Sequence, residues 1–496
     1  MSNATFLGHP RGLATLFFTE MFERFTYYGM RALLILFLTA TAAKGGFGLP
    51  AETAGAIYGL YTGTVYLFSL PGGWIADRLL GQRQSVWYGG ILIAAGNFIL
   101  AIPSTPPLFY FGLLVIVLGV GLLKPNISAI VGQMYEGEPG ARRDAGFSLF
   151  YMGINVGAFV APLIAGTLGE VIGYRWGFFS AGLAMLIGLV NYRFTGHHLG
   201  EAGKLPQQSS SRQRRRDWQL VMIVGGLLTL GAALLLSGAI GVNVIQAARA
   251  LGTLMVAFAV AFFGYVLLFG GLDKTERGRV IVIALFFVLA ALFWAGYEQA
   301  ATTFNLFARD YTDRSALGSF FADGQHPTSW YQSIPPVLVI VLAPFFAWLW
   351  VALGRRNLDP SAPFKFGLGL LQLGLGFGVM IFAAKLVVSS GARVLPGWLL
   401  MTYLLHVMGE LCLSPIGLSN VTKLSPPRYV GQMMGTWFLG AALGNLAAGL
   451  IGGHVGGGDV AAMPHQLLSM MLIGGGAGLV VILLSPVFKR LMGGIR

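Results

Sequence analysis

Apolar residues run along this chain in long blocks separated by short polar joints. Fourteen such blocks can be delimited, at 13–42, 53–78, 85–102, 107–134, 145–172, 176–195, 218–240, 246–271, 279–308, 328–353, 364–388, 395–422, 430–453 and 465–488. Each approaches or exceeds the ~20 residues that an α-helix needs to cross ~30 Å of hydrocarbon. The ~10-residue segments of alternating polarity that build membrane β-barrels do not occur. The pattern predicts an all-α polytopic membrane protein with 14 spans. The first block is too long for a cleavable signal peptide, and Glu20, Glu23, Arg24 and Arg31 stand where such a peptide must be uncharged.

Composition agrees with the pattern. Of 496 residues, 55% are hydrophobic and only 10% charged, against roughly 25% charged in an ordinary soluble protein, and the mean hydropathy is +0.72. Too little charge is present to coat a water-exposed surface, which argues against a soluble enzyme, a nucleic-acid binder or a disordered scaffold. The 72 glycines, without a Gly-X-Y period, suit membrane helices whose backbones approach closely. The single cysteine, Cys412, allows no disulfide within the chain, and no Cys/His spacing suggests a metal site. No cofactor is expected.

The net charge of +13 acquires meaning from its distribution. With the N-terminus inside, 22 of the 32 Lys and Arg fall on the cytoplasmic side and six on the outer side. That is a strong positive-inside bias, placing both termini in the cytoplasm of a cell that carries the protein in its cytoplasmic (inner) membrane. The basic face also attracts anionic lipid of the inner leaflet.

One long polar stretch, 196–217, interrupts the spans and reads as a flexible cytoplasmic linker. Six spans precede it. Two spans follow, without charge apart from Arg249 near one end, then six more. The layout predicts an N-terminal six-helix bundle (1–195), the linker (196–217), an inserted helix pair (218–277) and a C-terminal six-helix bundle (278–496), a major-facilitator arrangement with an insertion.

Charges inside membrane spans cost ~2.5–3.5 kcal/mol each on insertion scales, so those present need a reason. They are Glu20, Glu23, Arg24 and Arg31 in the first span, Lys124 in the fourth, Glu298 in 279–308 and Glu410 in 395–422. With the inserted pair set aside, these are the first helices of four three-helix units, the helices that line the cavity of a major-facilitator fold. On a helical projection Glu20, Glu23, Arg24, Tyr27, Tyr28 and Arg31 share a sector of about 140°. Such a stripe should face water or protein, not lipid. By the same spacing Trp294, Glu298, Thr302 and Asn305 share a face, as do Tyr403, Glu410 and Ser414, and Ser148, Tyr151 and Asn155. Asn155 alone reads equally well as interhelical glue. Lys385 lies near a span end and can snorkel. Pro125 and Pro415, beside Lys124 and Glu410, mark places where a helix can bend as a gate.

The run Glu20-Met-Phe-Glu23-Arg24-Phe-Thr-Tyr27-Tyr28-Gly29 resembles the ExxERFxYYG signature of the proton-dependent oligopeptide transporter family. Phe147–Asn155 is similar to that family's second signature, and Phe293–Gln299 and Gly409–Pro415 to its motifs in the corresponding later spans. Gly73-Trp74-Ile75-Ala76-Asp77-Arg78 resembles the major-facilitator loop after the second span. The resemblance implies a symporter that carries di- and tripeptides inward with protons. It assigns Glu20, Glu23 and Arg24 to proton coupling, and Arg31, Lys124, Tyr27, Tyr28 and Tyr66 to the peptide's carboxylate end and backbone. It gives Asn155 and Glu410 the α-amino group, pairs Glu298 with Arg31 as proton site and gate, and makes Trp437 the wall of a side-chain pocket. Ser414 and Trp294, beside Glu410 and Glu298, complete the expected substrate contacts, and Lys124 with Glu410 forms the matching cytoplasmic latch. One departure stands out: where an asparagine is expected before a proline, the chain reads Gln332-Ser333-Ile334-Pro335-Pro336.

These residue types suit a zwitterionic ligand. A peptide always presents one anionic and one cationic end. Arginine grips a carboxylate bidentately and lysine as a point charge, while a glutamate takes the ammonium. The expected partners are therefore a small peptide, protons and membrane lipid, with no nucleic acid, and the monomer is the expected working unit. The alternative is a major-facilitator proton symporter of another solute, such as nitrate, a drug or a glycoside. An intramembrane enzyme lacks support, since no HExxH, GxSxG or CxxC occurs, and without GxxxxGK[ST] an ATP-driven pump is disfavoured.

Overall fold

The computed structural model describes residues 5–102, 105–138, 140–205, 211–237, 239, 241–455 and 460–493. Part of the predicted linker, 206–210, and Arg496 lie outside the described residues. The described chain is helical, with two isolated backbone pairings, Phe6 with His9 and Thr312 with Val394. Its long helices are α1 (Arg11–Thr39), α2 (Ala51–Ile75), α3 (Gln82–Ala101), α4 (Pro106–Met134), α5 (Gly140–Ala161), α6 (Tyr174–Thr195), α7 (Ser211–Leu236) and α8 (Val244–Phe269). There follow α9 (Lys274–Tyr297), the short α10 (Thr303–Tyr311), α11 (Ile334–Arg355), α12 (Ala362–Ser390), α13 (Gly397–Leu424), α14 (Val430–Val455) and α15 (Met463–Leu491). Twelve helical segments among the described residues combine the length and apolarity needed to cross a membrane. Helices α1 and α2 are long enough, with 29 and 25 residues, but fall outside that set of twelve. Five ionisable residues lower the apolarity of α1, and glycines, threonines and tyrosines that of α2.

The helices cluster in two units. Met1–Phe47 and Thr64–Asn243 make the first, Gly48–Gly63 and Val244–Arg496 the second. The division falls inside α2 and between α7 and α8, so each inserted helix belongs to a different unit. The two are unequally embedded. Only 6% of the apolar stretch of α7 is buried, against 22% in α8.

Within each unit, seams of glycine bring helices together. In the first, a Cβ on Gly89 of α3 would stand 2.6 Å from the carbonyl oxygen of Gly119 on α4. In the second, a Cβ on Gly367 of α12 would stand 2.8 Å from the carbonyl oxygen of Gly478 on α15. Both distances are too short for a real side chain. Glycine is required here so that backbones can meet, because lipid tails supply no hydrophobic drive between helices and packing must.

The polar ends are tied locally. Asp273 caps α9, accepting from the Glu276 amide at 2.7 Å while Glu276 Oε2 accepts from the Asp273 amide at 3.2 Å. That capping box satisfies two amides which would otherwise lack partners. Arg428 Nη2 joins Glu276 at 2.8 Å. After α10, the Asp313 amide donates to Val394 and the Val394 amide to Tyr311, at 2.8 and 2.9 Å, pinning the loop that follows.

Candidate functional site

In the first unit the predicted stripe on α1 is embedded in protein. Glu20, Glu23, Arg24, Tyr27 and Arg31 are all buried, with Glu23 at 0% exposure and Tyr28 half-buried. Arg24 Nε lies 3.3 Å from Glu20 Oε1 and is also bonded to Glu23. One guanidinium thus faces two carboxylates. Three atoms of this triad, Glu20 Oε2, Glu23 Oε1 and Arg24 Nη2, have no hydrogen-bond partner among the described residues. A buried ionic atom without a hydrogen-bond partner is costly.

Aromatic rings carry the remaining cations. Arg24 lies 5.1 Å from the Tyr27 ring centroid, Arg31 5.5 Å from that of Tyr28, and Lys124 Nζ 4.2 Å from that of Tyr66. The Tyr27 and Tyr28 rings meet edge-on at 5.3 Å. Cation–π contact holds a charge in place while leaving its N–H groups directed elsewhere.

The approach of α5 lets the triad sit this deep. Gly157 faces the Met21 carbonyl, and a Cβ there would stand 3.1 Å from Arg24 Cβ. A Cβ on Gly153 would stand 2.9 Å from the Phe17 ring. Asn155, between them, is buried and donates to the Tyr151 carbonyl at 2.9 Å, its amide nitrogen spent on its own helix. Ser148 and Tyr151 are exposed, so that polar face does not run as one buried line.

In the second unit Glu298 is buried at 3% exposure, and the Tyr58 hydroxyl lies 3.4 Å from its Oε2. Glu298 ends α9. Residues Glu298–Ala301 form a 3-10 turn, and Thr302 leaves helical geometry at φ −116°, ψ −88° before α10 begins. Continuous helical spacing therefore fails past Glu298, which corrects the expected common face of Trp294, Glu298, Thr302 and Asn305. Trp294 and Glu298 keep their one-turn relation. Thr302 instead turns its hydroxyl to Gln299 Oε1, at 3.2 Å.

Gln299 stabilises this break. Its Nε2 donates to the carbonyls of Ala295 and Ala448 at 3.0 and 3.1 Å, and its Oε1 accepts from Thr303 at 2.5 Å. Gln332, in the run where Pro335 stands in place of the expected asparagine, is buried and donates to the Ala300 carbonyl. Glu410 and Ser414 are half-buried on α13. Helix α13 runs through Pro415, and α4 through Pro125, without a gap in helical assignment. Trp437 is buried against Phe366, ring centroids 6.1 Å apart, over Gly417. Trp294 packs edge-on to Tyr297 at 5.4 Å. Among the described residues no group of three or more His, Cys, Asp or Glu is arranged to hold a metal ion.

Residues 83–463 match the model of the POT family. The chain belongs to the POT family. It is 44% identical to the peptide transporter YePEPT of Yersinia enterocolitica subsp. palearctica, with 98% of this chain and 96% of that protein covered. It is 35% identical to a di-/tripeptide transporter of Lactococcus lactis subsp. cremoris, covering 99% of this chain and 98% of that one. Among solved structures, a mutant peptide transporter POT in complex with alafosfalin superposes with a TM-score of 0.89 at 39% identity, over 99% of this chain and 97% of the other. The major-facilitator fold and a transporter in place of an enzyme follow from POT membership.

Sequence reasoning for this POT chain found the ionisable residues but gave no role to Gln299, Gln332 or Asn126. Gln299 and Gln332 carry no charge and so raised no insertion penalty to explain. Asn126 is buried on α4, donating to Gly72 and Leu122 carbonyls at 3.3 and 2.7 Å, and fastens α2 to the helix that bears Lys124. An amide two residues from an intramembrane lysine was the available signal.

Proposed function

We propose that this chain carries out proton-coupled symport of di- and tripeptides by alternating access across the cytoplasmic membrane, with both termini in the cytoplasm. The observation that carries the reading is the buried Glu20–Glu23–Arg24 triad in a POT-family chain whose relatives are peptide transporters. Placement in the inner membrane and the N-in orientation rest on the charge bias; a monomeric working unit is proposed with them. The domain organisation proposed is the one read from the chain: 1–195, linker 196–217, inserted pair 218–277, and 278–496.

In this reading Arg31 and Lys124 take the peptide carboxylate, with Tyr27, Tyr28 and Tyr66 beside them. Glu410 and Asn155 take the ammonium, Ser414 and Trp294 add contacts, and Trp437 walls a side-chain pocket. Glu20, Glu23 and Arg24 couple the proton. Burial favours the protonated form of a carboxyl, while a nearby arginine favours the anion, so proton occupancy follows partner geometry. Protonation of Glu298 would release Arg31 to substrate, and Lys124 with Glu410 would latch the cytoplasmic side. The break after Glu298 supports a gating role there, since a helix already interrupted needs little further rearrangement to bend.

The substrate class is tested by competition. Uptake of labelled dialanine into vesicles bearing the protein should fall with excess unlabelled di- or tripeptide and stand unaffected by nitrate, glycosides or free alanine. Competition by the latter group alone would transfer the reading to another solute.

A further inference from the structure

Helix α7 borders two neighbouring cavities in the first unit. The lower one, about 860 Å³, is bounded by α7 residues Leu220, Val224, Leu228 and Ala232 and, opposite, by Trp74 and Leu118. Its α7 wall recurs at positions 220, 221, 224, 225, 228, 229, 232 and 233, a single helical face. That face spans about 20 Å at 1.5 Å per residue, somewhat more than the ~15 Å hydrocarbon depth of one leaflet. Apart from Thr229 its α7 side chains are apolar or absent.

The upper cavity, about 1010 Å³, shares Leu220 with the lower one and has opposite chemistry. Arg78, Arg212, Arg215 and Arg216 line it with one acid, Asp217. Asp217 pairs with Arg78 at 3.7 Å. Arg212, Arg215 and Arg216 are exposed and form no ion pair among the described residues. Trp74 links the two spaces: it lines the apolar cavity, and its ring carries Arg78 at 5.6 Å. Arg214 Nη2 reaches the Leu79 carbonyl at 3.3 Å, holding the basic end of α7 against the turn after α2.

An apolar slot one leaflet deep under a cluster of arginines is complementary to one kind of molecule. We propose that the seam between α7 and helices α2 and α4 binds an anionic phospholipid of the leaflet at the N-terminus of α7, an acyl chain in the slot and the phosphate on Arg212, Arg215 and Arg216. This gives the first inserted helix a task, with the lipid wedged between it and the bundle. It also gives the Gly73–Arg78 motif a role in shaping both cavities. Each basic residue near an anionic headgroup contributes about 1 kcal/mol, and guanidinium groups grip phosphate in a bidentate manner. The inference stands independently of which solute is carried.

The test is lipid retention by the purified full chain, measured by native mass spectrometry after incubation with equimolar phosphatidylglycerol and phosphatidylcholine. Wild type should retain phosphatidylglycerol with a preference of roughly tenfold or more. The exposed-site variant Arg212→Gln/Arg215→Gln/Arg216→Gln should keep lipid but lose the preference. Gly225→Phe, at a glycine with open space around it, should fill the slot and lower retention of both lipids at this site. Both variants should lose the rise in melting temperature that phosphatidylglycerol gives wild type. Equal retention of the two lipids by wild type, or an intact preference in the arginine variant, would overturn the proposal. So would equal stabilisation by inorganic phosphate with Gly225→Phe indifferent, which would make the upper cavity a simple anion site.

Discussion

Glu298 combines burial, the Tyr58 hydroxyl 3.4 Å from its carboxylate and a position at the end of a helix. Its replacement by the isosteric amide removes the titrating proton with little change in shape. Glu298→Gln should abolish pH-driven accumulation of peptide yet leave counterflow exchange near wild type; uphill transport by the mutant would exclude Glu298 as the coupling site. Arg31 is expected to grip a carboxylate with its planar fork, a geometry lysine does not reproduce. Arg31→Lys should weaken peptide affinity by about tenfold, near 1.4 kcal/mol, measured by competition in equilibrium binding. At this scale the sequence was most legible. Buried charges announce themselves because their cost in hydrocarbon demands a function, and Glu20, Glu23, Arg24 and Arg31 are enclosed by protein as the helical projection required. The contacts of Gln299 and Gln332 were illegible for the converse reason. An amide that satisfies freed carbonyls looks, in sequence, like any other polar residue.

The helices themselves were legible from apolar block length, whereas the interruption after Glu298 was not. No proline or glycine occurs between Tyr297 and Thr303 to announce it. The two prolines near the half-buried Lys124 and Glu410, Pro125 and Pro415, sit within unbroken helices instead. The break persists because Gln299 reaches Ala448 and Gln332 reaches Ala300, contacts spanning 149 and 32 residues that no local pattern encodes. Gln299→Leu strips the hydroxyl of Thr303 and the carbonyl of Ala448 of their partner. With about 1–3 kcal/mol lost for a buried polar group left unmade, its melting temperature in detergent should fall clearly below wild type; an unchanged value would remove Gln299 from this role. Gly157→Leu places a branched side chain against the Met21 carbonyl and Arg24 Cβ. It should impair both folding yield and transport, because α5 could no longer approach the triad on α1.

For the whole molecule, orientation and coupling are the properties to measure. The sole cysteine, Cys412, is buried, so a cysteine introduced at an exposed site is read against little background. In a Cys412→Ser chain, Ser390→Cys should react with a membrane-impermeant maleimide on intact cells, and Lys204→Cys only after permeabilisation. The reverse pattern would invert the orientation drawn from the positive-inside bias. Fourteen long helical segments and a grouping into two bundles were anticipated, but a division falling inside α2 was not. A boundary inside α2 depends on which glycines meet, as Gly55 and Gly59 meet α14 at Gly449 and Leu446, and hydropathy carries no such information.

Coupling decides the matter. The direct measurement is accumulation of labelled dialanine in liposomes containing the purified protein, under an imposed pH gradient with the outside acid, with and without a protonophore. Transient accumulation above the external concentration, lost on adding the protonophore and absent without a gradient, is the predicted result. Accumulation indifferent to the gradient, or equilibration that never exceeds the external concentration, would contradict a proton-driven peptide symporter.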